Sequence, residues 1–168
     1  LETFLKTNGI PLQKCLIFPY KGISRTDAAV AVVSFLNRVR PGVPVIFHRD
    51  ADMASDAERE KLFQKYSDLR HYNCHIFTTE YSDIEHYFCT IDHISSVYGI
   101  SNADATSVVD NVINENSNTF IRKYMRKRDD LAKDIYDNPN KEAPSVERLL
   151  PNSGITWNQC LGKTLMGK

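Results

Sequence analysis

The chain has 168 residues, of which 42% are hydrophobic and 25% are charged, and its 21 Lys and Arg residues balance its 21 Asp and Glu residues. This length suits one ordinary domain with its own hydrophobic core. The balanced charge excludes a polybasic nucleic-acid wrap, so an anionic partner would have to be held locally, by a few side chains or by metal ions.

Targeting signals and cysteine pairs are absent from the sequence pattern. No apolar run approaches the ~20 residues that span a bilayer, and no signal-peptide pattern opens the chain. The four cysteines are scattered and form no CxxC pair. Scattered thiols are typical of reduced proteins, so the sequence predicts a cytoplasmic location without membrane association.

The first hundred residues alternate short apolar runs with helical patterns. The runs predicted as strands are residues 15–19, 43–47 and 73–78. The patterns predicted as helices are residues 26–38, 55–70 and 82–99, the last two opened by capping-box patterns. Strands joined by helices of this length imply a parallel sheet with right-handed crossovers, and the continuous apolarity of 43–47 suits a strand buried on both faces. The sequence therefore predicts an α/β fold for residues 1–100.

The pattern changes after residue 100. A helical stretch over residues 101–136 is followed by a loop, a short helix over 146–150, a turn over 151–154 and a last helical pattern over 156–168. Residues 101–168 are therefore predicted to form a C-terminal helical appendage to the α/β core.

Two acidic side chains, Asp50 and Asp52, follow directly after the apolar strand 43–47. Ligands of open parallel sheets gather at the carboxyl ends of the strands, and Mg²⁺ binds carboxylate oxygens. The alternative is a solvated loop whose aspartates cap the next helix. Both interpretations stay open on these residues alone.

A second acidic segment, residues 78–88, follows the next strand and should lie at the same edge of the sheet. Its candidates are Glu80, Asp83 and Glu85. Glu85 stands three residues after Ser82, where a capping box favours Glu for local reasons, and a metal role is compatible with that position.

Other common sites find little support. His71 and His75 are separated by a predicted helix-to-strand break, and His86 and His93 are too far apart for one zinc ion. The nucleotide-binding and serine-nucleophile motifs are absent from the sequence.

The basic run 122–128 fits either a solvated helix face or a guide for a phosphate backbone. The candidate DNA-binding cations are Arg49, Arg122, Lys123, Arg126 and Lys127.

Four segments, taken in order, resemble the Toprim domain of OLD-family (overcoming lysogenization defect) ATP-dependent nucleases. They are residues 17–22 (IFPYKG), 48–52 (HRDAD), 81–88 (YSDIEHYF) and the Gly-Lys at 162–163. The resemblance covers most of the chain, and the order of these short motifs and their placement at strand ends carry it.

The resemblance implies a Toprim-like parallel sheet and a two-metal DNA endonuclease using Mg²⁺ or Mn²⁺. Asp50 and Asp52 would be the paired metal ligands, Glu85 would support the second metal, and Lys163 would contact the scissile phosphate. The family also implies an ABC-type ATPase domain in the same full-length protein, a homo-oligomer formed through that domain, and a role in defence against phage.

One acidic residue of the family pattern has no counterpart. Toprim domains carry a glutamate at the end of their first strand, whereas residues 1–10 fit the helix that follows that strand, so we expect this chain to be a fragment with little activity. In some relatives an Asp stands where His48 does, which would make Asp50 the second acid of the pair. A Toprim domain of topoisomerase or primase type and a non-catalytic partner-binding module are the alternatives.

Overall fold

The computed structural model describes residues 2–19, 26–150, 152 and 154–168. Its strands are β1 (Val45–Arg49) and β2 (Cys74–Thr78). Its α-helices are α1 (Glu2–Thr7), α2 (Thr26–Val39), α3 (Asp56–Lys65), α4 (Ile91–Tyr98), α5 (Asn102–Glu115), α6 (Ser117–Ile135), α7 (Pro139–Glu142), α8 (Val146–Leu149) and α9 (Gly162–Leu165). Short 3-10 helices cover Leu12–Lys14, Ser67–His71, Ile84–Cys89 and Trp157–Gln159.

The fold is mixed α/β, with a parallel two-stranded sheet. The register runs from Val45 opposite Cys74 to Arg49 opposite Thr78. The crossover consists of α3 and the 3-10 helix after it, which confirms the parallel pairing predicted from the sequence. Since β1 begins two residues later than predicted and ends at Arg49, Asp50 is the first residue beyond the strand.

The first predicted strand, residues 15–19, is not a strand in the structure. The backbone is extended at Cys15, but Leu16 and Phe18 are exposed. An extended segment becomes a strand only through ladder hydrogen bonds, and the described residues supply it with no pairing strand. The last three residues of the motif at 17–22 lie outside the described residues.

Local capping determines where the helices between and after the strands begin. The capping box before α3 is confirmed, because Ser55 Oγ accepts from the Glu58 N–H and the Glu58 carboxylate accepts from the Ser55 N–H. The single helix predicted over 82–99 is wrong. Asp83 caps a 3-10 helix, and the hydroxyl of Thr90 then accepts the His93 N–H and starts α4 as a separate helix.

The helical last third is also more broken than predicted. The stretch over 101–136 is divided at Asn116 into α5 and α6. The short helix near 146–150 is confirmed as α8. The segment 156–168 contains the last 3-10 helix, an extended connection and the four-residue α9 instead of one helix. Pro151 and Ser153, in the predicted turn, lie outside the described residues.

Two hydrophobic clusters hold these elements together. The first packs Phe47, Leu62, Leu69 and neighbouring residues beneath the inner face of the sheet, and Leu131 of α6 belongs to it. The second joins residues after β2 with α5, the C-terminal segment and the N-terminal half of α6. Both clusters contain residues from either side of residue 100, so the appendage is part of the same packed unit.

The outer face of the sheet has less cover than the sequence predicts. Ile46, on the opposite face from Phe47, is 65% exposed, and Phe77 is also exposed. Within the part of the chain that the structure describes, β1 is therefore buried on one face only. No helix among these residues has the length and apolar character needed to cross a membrane.

Candidate functional site

The loops that follow the two strands are hydrogen-bonded to each other. The Ala51 N–H donates to Thr79 Oγ1 at 2.8 Å, and the Asp52 N–H donates to the Ser82 carbonyl at 2.9 Å. Because the strands are parallel, both loops leave the same edge of the sheet. The backbone therefore brings the acidic pair after β1 to the acidic segment after β2.

The loop after β1 contains two consecutive non-glycine residues in the left-handed region. Asp52 has φ 48° and Met53 has φ 72°. Such residues typically cost about 1–3 kcal/mol each and persist only where neighbouring groups hold them. Here the Asp52 N–H is bound by Ser82, and Arg128 Nη1 donates to the Met53 carbonyl at 2.9 Å. Backbone strain of this kind concentrates at functional sites.

Asp50 lies in an unusually negative environment. Burial, together with the nearby charges of Asp52, Asp83 and Glu85, raises the pKa of its carboxyl to about 6, although Lys163 partly opposes them. Its Oδ1 is buried and accepts no hydrogen bond from the described residues. Asp50 is thus electrostatically coupled to Glu85 and Lys163, which lie far away in the sequence.

The nearest positively chargeable group to this oxygen is a histidine. His48 Nε2 lies 3.5 Å from Asp50 Oδ1. Burial lowers the pKa of His48, so its ring is neutral near pH 7 and does not neutralise the Asp50 carboxylate.

Asp52 has a cationic partner. Lys127 Nζ of α6 lies 2.6 Å from Asp52 Oδ1, and the two residues are 75 positions apart in the sequence. Asp52 is nearly buried, so the ammonium neutralises a carboxylate that has little access to water.

Asp83 fastens the C-terminal segment to the site. Its Oδ1 accepts the N–H groups of His86 at 3.1 Å and Gly162 at 2.8 Å, and its Oδ2 accepts the N–H of Lys163 at 3.4 Å. Burial raises the pKa of this carboxyl, while the hydrogen bonds from the α9 backbone hold it down. Asp83 therefore positions α9, and with it Lys163.

His86 links the loop after β2 to the C-terminal segment. It is fully buried between Tyr81, whose ring stacks on it at 5.0 Å, and Trp157, whose ring meets its edge at 4.3 Å. Its Nδ1 lies 3.1 Å from both Ser82 Oγ and the Cys160 carbonyl. Because a carbonyl only accepts, we assign the ring proton to Nδ1. Burial lowers the pKa of His86 to about 4, so the ring is neutral.

Glu85 and Lys163 are placed by short helices. Glu85 lies in the first turn of the 3-10 helix Ile84–Cys89 and is half-buried, and its predicted partner in a capping box, Ser82, instead donates to the Cys160 carbonyl. Lys163 lies in the first turn of α9, with its side chain exposed. Both residues act on the pKa of Asp50.

The candidate DNA-binding cations fall into three groups. Arg49 is only 4% exposed, and its guanidinium donates to Asp134 at 2.7 Å and to the Tyr66 hydroxyl at 3.0 Å. A buried guanidinium held in this way is not available to a phosphate backbone, so Arg49 has a structural role in this conformation. Arg122 and Arg126 are exposed on α6. Lys127 binds Asp52, and Lys123, one turn earlier, donates to Thr164 Oγ1 at 2.9 Å.

The donor set suits a hard divalent cation, although the side chains are not yet arranged around one. Asp50, Asp52 and Glu85 offer carboxylate oxygens, and a cation would offset the charge that raises the pKa of Asp50. Over the described ranges, no group of three or more His, Cys, Asp and Glu side chains is arranged to hold a metal ion. The Lys127 ammonium is paired with one oxygen of Asp52.

Comparisons with known proteins identify no relative of this chain. No protein-family model matches the chain, and no curated protein or solved structure shows significant similarity to it.

Proposed function

We propose that this chain is the Toprim-like nuclease domain of an OLD-family, metal-dependent DNA endonuclease. The observation that supports this best is the convergence of Asp50, Asp52, Glu85 and Lys163 at the carboxyl ends of two parallel strands. These are the four residues to which the resemblance assigns catalytic roles, and electrostatic coupling around Asp50 links them. The ABC-type ATPase domain, the homo-oligomer formed through it and a role in phage defence belong to the same proposal.

Each residue has a role that follows from its position. Asp50, Asp52 and Glu85 would hold Mg²⁺ or Mn²⁺, which would supply an activated water and stabilise the leaving oxygen of a phosphodiester. The exposed Lys163 would contact the scissile phosphate and stabilise its developing negative charge. Asp83, through the backbone of α9, keeps Lys163 beside the acids.

The cations of α6 would extend this site toward the DNA backbone. Arg122 and Arg126 are exposed, and Lys123 reaches α9 beside Lys163. The formal net charge of the chain is zero. A few local cations can nevertheless contact phosphates and position DNA, because such contacts depend on individual side chains rather than on the net charge.

Nicking of supercoiled plasmid DNA in the presence of Mg²⁺ or Mn²⁺ tests the function in the longer protein that the resemblance predicts. We expect Asp50→Asn/Asp52→Asn to abolish nicking. The charge-matched control is Asp110→Asn/Glu115→Gln, which changes two exposed acids of α5 and should keep full activity. Equal nicking by the site variant and the unmodified protein would refute the proposal.

A second candidate function, a non-catalytic partner-binding module, is favoured by one contact. The Lys127–Asp52 pair would neutralise a ligand position permanently if it never opened. Titration of the 168-residue chain with Mn²⁺, followed by the electron paramagnetic resonance of the free ion, separates the two. Binding that is lost in Asp50→Asn/Asp52→Asn supports the nuclease, and no binding supports the module.

A further inference from the structure

Lys127 and a divalent metal would require the same oxygen atom. The ammonium lies 2.6 Å from Asp52 Oδ1, whereas Mg²⁺ binds carboxylate oxygens at about 2.0–2.1 Å. Two cations on one oxygen repel each other strongly in a site with little water. A metal ion bound through Asp52 Oδ1 must therefore push the ammonium aside.

The structure allows Lys127 to leave without disturbing its helix. Its side chain is 37% exposed, and a lysine ammonium is a point charge on a flexible stem. The next residue, Arg128, is by contrast buried and bound through two guanidinium nitrogens to Glu58, at 2.6 and 2.7 Å. Because Arg128 anchors α6 to α3, the Lys127 side chain can change partner while the backbone stays in place.

The neighbouring cations indicate where the displaced ammonium would act. Lys123 lies one helical turn before Lys127 and donates to Thr164, the residue after Lys163. The three lysines therefore border the acidic site, and among the described residues only the side-chain ammonium of Lys127 is bound to one of its acids. An ammonium released from Asp52 remains at this border, where a phosphate approaching Lys163 would meet it.

We propose that Lys127 is a built-in counter-ion of Asp52, which a divalent metal displaces and which then binds a phosphate of the DNA substrate. This inference rests on the proposed function. It links the two binding events: metal binding frees a phosphate-binding cation, and a phosphate that holds Lys127 leaves Asp52 open to the metal. By reciprocity, DNA then strengthens metal binding by the same factor.

Metal affinity of Lys127→Met, measured by Mn²⁺ titration of the 168-residue chain, tests the competition. Without its competitor the metal should bind more tightly, with a dissociation constant lowered at least about threefold. The matched control, Lys123→Met, removes the same charge one turn away, but its ammonium bonds a hydroxyl rather than a carboxylate. We expect the control to change the dissociation constant by less than about twofold. Equal effects of the two substitutions would reduce the role of Lys127 to general electrostatics and overturn the inference.

The chemical reactivity of Lys127 in the unmodified chain provides a readout that needs no variant at that position. Acetylation by an amine-reactive ester, followed residue by residue by mass spectrometry, should accelerate at Lys127 when Mg²⁺ is added and stay constant at Lys123. In Asp52→Asn the Mg²⁺ effect at Lys127 should disappear. Unchanged acetylation of Lys127 in a chain that does bind Mg²⁺ would overturn the displacement.

DNA binding tests the second half of the inference. In Ca²⁺, Lys127→Met should bind duplex DNA more weakly than the unmodified protein, with a salt dependence reduced by about one phosphate contact. Without a divalent ion the two proteins should bind DNA alike, because Lys127 is then held by Asp52. Equal DNA affinity of the two proteins in Ca²⁺ would overturn the phosphate-binding role.

The outcomes also separate this inference from the proposed function. If the unmodified chain binds Mn²⁺ and Lys127→Met binds it no more tightly, the counter-ion role is refuted and the nuclease proposal stands. If neither protein binds Mn²⁺, both the inference and the metal-dependent function are refuted.

Discussion

Gly162 is a residue at which the fold has no room for a side chain. A Cβ there would overlap the backbone nitrogen and Cα of His86 and the Oδ1 of Asp83. The close approach has a purpose, because it lets the Gly162 N–H donate to the buried Asp83 carboxylate. The glycine of the Gly-Lys pair is therefore explained by packing, independently of any catalytic role for Lys163.

Gly162→Ala should consequently destabilise the protein by roughly 2–3 kcal/mol, the upper part of the range typical of atoms forced into a packed interior. Gly167→Ala is the control, because a Cβ at that position meets its nearest neighbour, the Lys163 carbonyl, at an ordinary 3.4 Å. Urea denaturation of both variants measures the difference. A Gly162→Ala protein as stable as Gly167→Ala would show that α9 does not pack against Asp83 as described.

The charge on Asp50 is a cost to the folded protein. Its pKa is raised to about 6 in the folded state, against an ordinary value of 3.8. Since the unfolded chain releases this proton more readily, the free energy of unfolding falls as the pH rises from about 4 to about 6 and stays lower above that range. Such a penalty is expected where function requires clustered carboxylates.

Asp50→Asn should therefore raise the melting temperature by about 3 °C near neutral pH, and the gain should vanish near pH 4, where the native Asp50 is protonated as well. Thermal melts between about pH 4 and 8 measure this dependence. The control is Asp110→Asn, which changes an exposed acid of α5. A stabilisation that is the same at every pH would contradict the shifted pKa.

Helix α6 contacts several distant parts of the chain. Its Arg128 forms a buried, two-nitrogen pair with Glu58 of α3. Against the opposing effect of burial, the Arg128 guanidinium and the hydrogen bonds from Ser55 lower the pKa of Glu58 to about 2. Farther along, Asp134 binds both Arg49 of β1 and Lys65 of α3. The helix thus connects the sheet, the crossover helix and the acidic site.

Arg128→Met should lower the free energy of unfolding by about 3–5 kcal/mol, because it leaves the Glu58 carboxylate buried without its main partner. Arg126→Met changes an exposed arginine two residues earlier on α6 and should cost less than about 0.5 kcal/mol. Chemical denaturation of the two variants tests the contrast. A loss below about 1 kcal/mol for Arg128→Met would mean that the pair contributes little beyond its packing.

The sequence predicted those elements whose signals are local. The capping box at Ser55, the parallel β1 and β2, α2 and α8 all follow from periodicity, caps and strand-like runs. The helix predicted over 82–99 failed because Asp83 and Thr90 each have an extended backbone and each cap a separate helix. The strand predicted over 15–19 failed because strand formation depends on a pairing partner, which a local apolar run cannot specify.

The candidate site shows the same division between local and distant signals. Asp50 and Asp52 could be placed at a strand end from the sequence, because their position depends only on the strand before them. The roles of Asp83, His86 and Lys127 could not be predicted, because their partners Gly162, Cys160 and Asp52 are more than 70 residues away. Only the folded chain shows that Asp83 is bonded to the α9 backbone.

At the scale of the whole molecule, the C-terminal segment and the strand-end loops form one interlocked region. Trp157, the single tryptophan of the chain, donates its indole N–H to the Cys89 carbonyl at 3.0 Å and packs against His86. Its fluorescence therefore reports whether this segment is docked. Both hydrophobic clusters include residues of α6, so we expect docking and global folding to be cooperative.

In urea, the tryptophan fluorescence and far-ultraviolet circular dichroism of the unmodified protein should change together, as in a two-state transition. In Asp83→Ala the fluorescence change should come at a lower urea concentration, because the α9 backbone loses its carboxylate partner. Asp92→Ala, a change at an exposed acid of α4, should leave the two curves superimposed. Coincident curves for Asp83→Ala would show that the carboxylate does not hold the segment in place.

The bonds from Asp83 to Gly162 and Lys163 also have a consequence for protein synthesis. The second acidic loop is translated about eighty residues before the segment that Asp83 binds, and the strands and the first acidic loop are translated earlier still. On the ribosome, a nascent chain can therefore form its parallel strands while Lys163 is still inside the exit tunnel. Asp83 and the backbone of Lys163 first meet when α9 emerges, so a product truncated before α9 would carry the paired strands without the segment that Asp83 binds.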